Sequence, residues 1–173
     1  MQIRNSFTIK SLADVQPGEL ISFELNRDRA LGIALNRNPQ GDLKIGVIRA
    51  DGFSNFKPFH FDYDTAEPCI SYGTEWEIEP QPGAETMPGN LDHTEIQGVL
   101  HATSSGLAVR FGRPPDNPRL SGYSHDLVNG GAARLNQDNC APIFRWRIWA
   151  SAANPRFPDE KPLFEFDATP PTP

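Results

Sequence analysis

The sequence predicts an all-β protein made from two copies of a small sheet unit, and three observations carry that prediction. Gly and Pro number 14 and 17 among 173 residues and punctuate the whole chain, the habit of many short elements joined by tight turns. Apolar residues recur at every second position in several segments, and no segment sustains an i, i+3, i+4 pattern. Finally, Thr74-Glu75-Trp76-Glu77-Ile78-Glu79 is echoed by Phe144-Arg145-Trp146-Arg147-Ile148-Trp149. Trp and Ile keep their places, while Glu75 and Glu77 give way to Arg145 and Arg147. Side chains alternate across a strand, so the retained apolar pair and the exchanged charges lie on opposite faces. Two architectures satisfy this pattern: two tandem small β-barrel or sandwich units, or one β-sandwich built from an internal duplication.

Taken in order, Ser6 to Lys10 reads as a short strand, and Ser11 caps one helical turn with Asp14 at the capping-box position. Pro17-Gly18 breaks that turn. Ile21, Phe23 and Leu25 then alternate with polar residues. Asn26 to Arg29 forms a turn, and Leu31, Ile33 and Leu35 continue the period of two. Asn38-Pro39-Gln40-Gly41-Asp42 closes a hairpin before Leu43, Ile45 and Val47, completing a three-stranded meander. Phe59, Phe61 and Tyr63 alternate with His60, Asp62 and Asp64. Pro68 and Cys69 precede the Trp76 strand, which Pro80 ends.

The segment after Pro80 is rich in Pro and Gly and has no periodicity, which marks a linker. The expected organisation is therefore a first β unit over 1–80, a linker over 81–90 and a second β unit over 91–167. A Pro-Thr tail over 168–173 is too polar to pack and is expected to be disordered. Each unit is of SH3-like size. Laying Glu19–Gln40 over Glu95–Asp116 without a gap superposes Glu19 on Glu95, Leu31 on Leu107, Arg37 on Arg113 and Pro39 on Pro115. Ile33 then meets Val109 and Leu35 meets Phe111, so the apolar face persists. Ile21 falls on Gln97, which predicts a bulged or exposed first strand in the second unit. A short helix over Ala132 to Leu135 and a last strand around Leu163 to Phe166 complete the reading.

A net charge of −6 disfavours nucleic acid as a partner, because phosphate binding requires a basic field. No apolar run approaches the ~20 residues that span a bilayer, and the first residues lack a signal-peptide core. A cytoplasmic protein is expected. Cys69 and Cys140 make no disulfide framework and are expected as buried free thiols.

Three groups of residues are candidates for chemistry. His60, Asp62 and Asp64 share one face of a strand, and imidazole with carboxylates suits zinc or iron. The same alternation also describes a plain polar face opposite Phe59, Phe61 and Tyr63. Ser124-His125-Asp126 reads as a polar loop, because a triad requires spatial geometry that neighbours in sequence rarely meet. The charged faces carrying Glu75, Glu77, Arg145 and Arg147, with Trp149 beside them, either oppose each other across paired strands or meet partners of opposite charge. No cofactor is implied.

The function these features predict is non-catalytic: an interaction protein that engages a protein partner through strand edges and charged and aromatic faces. One alternative is a metal-dependent β-barrel enzyme using His60 and Asp62 with a histidine of the second half. Another is a β domain binding carbohydrate or a small ligand on Trp149 with Tyr72 or Tyr123.

Overall fold

The computed structural model describes residues 7–53, 56–63, 66–81, 92–114, 121–150 and 161–168. The protein is all-β, and its described residues form three antiparallel sheets and two single 3-10 turns. β1 (Thr8–Ser11) leads into the first 3-10 turn (Leu12–Asp14), followed by β2 (Leu20–Leu25), β3 (Asp28–Arg37), β4 (Leu43–Ala50), β5 (Phe59–Tyr63), β6 (Pro68–Ser71) and β7 (Glu77–Pro80). The second 3-10 turn (His93–Glu95) precedes β8 (Leu100–Thr103), β9 (Gly106–Phe111), β10 (Tyr123–Asp126), β11 (Cys140–Ile143), β12 (Arg145–Trp149) and β13 (Phe164–Asp167).

The first sheet has the strand order β1-β6-β2-β3-β4-β5, the second β10-β9-β8-β11, and the third β13-β12-β7. None closes into a barrel, so the architecture is sandwich-like. The first sheet nevertheless coils strongly. Three strand spacings would hold β2 and β5 about 14 Å apart in a flat sheet, yet the rings of Phe23 and Tyr63 meet edge-on at 6.0 Å. Small residues make the coil possible. A Cβ on Gly32 would sit 2.7 Å from Ile45 Cγ2 and 3.2 Å from Phe23.

Both faces of this sheet are buried. One encloses Leu12, Val15, Ile21, Phe23, Ile45, Phe59 and Cys69. The other turns Leu20, Leu31, Ile33, Leu35 and Ile48 towards Leu100, Val109, Phe111, Trp146 and Ile148. The second cluster thus draws on both halves of the chain, and so does the third sheet, where β7 pairs with β12.

The two halves repeat one another closely. Both 3-10 turns are capped by a side-chain oxygen, Ser11 accepting from Ala13 N–H and Asp92 from Thr94 N–H. Each turn leads to a glycine with positive φ, Gly18 at +88° and Gly98 at +84°. Both glycine N–H groups donate across the following hairpin, to the Ala34 and Arg110 carbonyls. The Trp76 indole N–H donates to the Gly18 carbonyl at 2.8 Å, and that of Trp146 to the Gly98 carbonyl at 2.9 Å. Within the third sheet Ile78 lies directly opposite Ile148, which places a local twofold axis at that pair.

The repeat corrects the gapless alignment at one strand. Leu20 opposes Ile33 and Leu100 opposes Val109; thirteen and nine steps separate the partners, so the second hairpin is four residues shorter. Leu20 therefore corresponds to Leu100. Gln97 lies in the turn before β8 and is neither a bulged nor an exposed strand residue. Glu95 belongs to the 3-10 turn. The expected helix at Ala132 is also absent: Ala132 forms a β-bridge with His125 instead. Ser124 and His125, expected in a loop, are buried strand residues because β10 pairs with β9. Of the linker only Gln81 and of the tail only Ala168 fall among the described residues, and the Ala168 N–H donates to the Phe144 carbonyl at 3.0 Å. No described helix is long and apolar enough to cross a membrane.

Candidate functional site

The two segments carrying the predicted charged faces pair with each other through β7 and β12. Antiparallel pairing places Arg147 opposite Glu79 and Trp149 opposite Glu77. Arg147 Nε lies 3.0 Å from Glu165 Oε1 on β13, so this arginine sits between two acidic strands. Arg147 thus faces an acidic residue on each neighbouring strand, and opposed charges of this kind are worth about 0.2–1 kcal/mol per pair. Glu75 is exposed in the bend before β7, and Arg145 is half-buried opposite Asp167. Trp149, expected as an exposed platform, is 8 % exposed and donates its indole N–H to Glu79 Oε2 at 2.7 Å. Of the tyrosines named as ligand platforms, Tyr72 is half-buried against the second core cluster, and Lys44 covers the Tyr123 ring at 5.2 Å.

His60 and Asp62 do not converge as metal ligands. His60 is buried, with Nε2 3.0 Å from the Ser121 carbonyl and its ring edge-on to Tyr123. Asp62 is exposed and pairs with Lys44 at 3.5 Å. Asp64 lies outside the described residues. His60 belongs to a buried polar seam in which the Tyr123 hydroxyl reaches His125 Nδ1 at 3.3 Å. Burial holds the His125 ring down at about 4, so it stays neutral. The seam lies where β5 meets the end of β9 through the Phe59–Gly112 bridge, and it ties the first sheet to the second.

A different set of ligand-type side chains does converge. His93, His101 and Cys140 bring one donor atom each to within 4.8 Å of one another. The second 3-10 turn, β8 and β11 position them, and Pro142 of β11 lies opposite His101. His101 is fully buried, with Nε2 3.2 Å from the His93 carbonyl oxygen. Nδ1 of both rings is buried and without a hydrogen-bond partner among the described residues. Burial lowers the His101 pKa to about 4, which leaves a neutral imidazole. Burial raises the Cys140 pKa, and its thiol donates to the Asn136 carbonyl at 3.1 Å. Both cysteines are free.

An apolar cleft lies elsewhere, beside β2 and β6 of the coiled first sheet. Ile9, Phe23, Pro68, Cys69 and Ile70 line it, together with Glu24, Arg27, Asp28 and Arg29 from the β2–β3 hairpin. β1 is an edge strand whose outer side pairs with no strand among the described residues. Its Ile9 is 77 % exposed, and Phe7, just before its first residue, is 43 % exposed. In the β2–β3 turn, Asn26 and Arg27 hold positive φ of 54° and 73°, the two-residue hairpin conformation that ordinarily takes Asn-Gly.

No family model, curated protein or solved structure matches this chain.

Proposed function

We propose that the protein is a non-catalytic interaction module whose partner is an extended segment of another protein, bound along the outer edge of β1. The observation that carries this reading is the conjunction of that edge with exposed Phe7 and Ile9 beside an apolar cleft. An edge strand offers a row of free backbone donors and acceptors. A peptide adding to it gains affinity from main-chain hydrogen bonds and selectivity from pockets that take alternate side chains. Here the pocket beside the edge is apolar, and charges of both signs also line it, Glu24, Arg27, Asp28 and Arg29. The preferred ligand is thus a strand with one apolar anchor and flanking charges. A cytoplasmic setting suits this reading, since thiols remain reduced there.

The test is a peptide-display selection against the full chain, with the Ile9→Arg variant as counter-target. The expected winners alternate apolar and polar residues, bind Ile9→Arg at least tenfold more weakly, and protect the amides of Thr8–Ser11 from exchange. Winners that bind Ile9→Arg equally well, or a selection that yields none, would overturn the reading.

A further inference from the structure

We propose that His93, His101 and Cys140 form a zinc-binding site, distinct from the β1 cleft and independent of its role. The first residues of the two capped 3-10 turns are Leu12 and His93. With Leu20 on Leu100, Ile21 corresponds to His101. The registers of β6 on β2 and of β11 on β8 then place Cys69 on Cys140. In the first half these three positions are Leu12, Ile21 and Cys69, which are 1 %, 0 % and 4 % exposed and belong to one apolar cluster. The second half keeps the backbone and the cysteine, and replaces both aliphatic side chains by imidazoles.

Burying polar rings in place of Leu and Ile costs free energy unless each finds a partner. Neither Nδ1 finds one among the described residues, although His101 is wholly enclosed. A neutral imidazole has one N–H and one lone pair. With the His101 N–H directed from Nε2 to the His93 carbonyl, its lone pair is on Nδ1. That division, one nitrogen to a backbone carbonyl and the other free, is how metal-ligating histidines are usually oriented.

Two imidazoles and a thiolate match the preferences of zinc. Zn–N bonds of about 2.0–2.1 Å and a Zn–S bond of about 2.3 Å put tetrahedral donors roughly 3.5 Å apart. Donors already within 4.8 Å need a contraction of the order of 1 Å. Binding exchanges the thiol proton, now given to the Asn136 carbonyl, for the metal, and releases it to solvent. Three protein ligands leave the fourth tetrahedral position to water.

The experiment is a cobalt titration of chelator-treated full-length protein, followed by visible and near-ultraviolet absorption, with zinc added last. One cobalt ion per chain is expected, with tetrahedral visible bands and a thiolate charge-transfer band, all lost on zinc addition. Cys140→Ser is expected to remove the charge-transfer band. The double variant His93→Leu/His101→Ile copies the first repeat and is therefore expected to fold. It is expected to bind at least 100-fold more weakly while its metal-free thermal midpoint stays level or rises. His60→Ala, outside the site, is expected to keep the full spectrum. The proposal fails if no thiolate band develops, if the band survives in Cys140→Ser, or if only copper binds.

Discussion

At the scale of single residues, the two tryptophans show how one hydrogen bond can recur in unequal surroundings. Each indole N–H holds the carbonyl of a left-handed glycine, Gly18 or Gly98. Trp146 is 1 % exposed and packs at a tilt against Phe164 and Phe166, with ring centroids 5.3 and 5.4 Å away. Trp76 is only half-buried, just outside the first residue of β7. Truncating a fully buried aromatic costs about 3–5 kcal/mol, and a half-buried one forfeits roughly half the transferred area. Urea denaturation of Trp146→Ala is expected to show the full loss, and that of Trp76→Ala about 1–3 kcal/mol. Equal losses would mean that the shared indole bond, rather than burial, dominates. The residue identities were legible in the sequence. Their difference in burial was not, because it depends on which strands flank each indole.

At the scale of elements, the sequence resolved hairpins best where one face is apolar and the turn residues are distinctive. The β2–β3–β4 meander lies where alternation places it. Charge contrast between β7 and β12 also acts at this scale, with Arg147 opposite Glu79 in the third sheet. The β2–β3 turn is the element with a local conflict. Arg27 holds φ at 73°, a region that costs a residue with a Cβ about 1–2 kcal/mol. Arg27→Gly is expected to raise stability by up to about 1 kcal/mol, after allowance for the entropy glycine adds to the unfolded chain. Chemical denaturation with an unchanged m-value would register it. A destabilised variant would show that the Arg27 side chain contributes more than its backbone costs. β8 was misplaced because its hairpin is shorter than its counterpart, and a gapless comparison cannot register a deletion.

At the scale of the whole molecule, the halves are joined by one core. A Cβ on Gly46 would lie 2.4 Å from the Phe111 ring, so the absence of a side chain on β4 is what lets the second sheet approach the first. Gly46→Ala is expected to destabilise by about 1–3 kcal/mol through overpacking. Phe111→Leu should recover part of that loss in the double variant, because contacting residues couple. Strictly additive losses would place Phe111 elsewhere. Since the second cluster contains residues of both halves, denaturation is expected to be a single transition by fluorescence and circular dichroism alike.

The sequence by itself determined the all-β class, the meander, the absence of a sustained helical pattern and the repeat of a Trp-x-Ile motif. All of these are local or periodic signals that a chain writes along its own length. Only the tertiary structure decided that the segments carrying that motif pair with each other, that Trp149 is buried, that Ile9 faces outward, and that His93, His101 and Cys140 converge. Those outcomes depend on which strands become neighbours, and residues 47 positions apart carry no mark of their meeting until the sheet register brings His93 to Cys140.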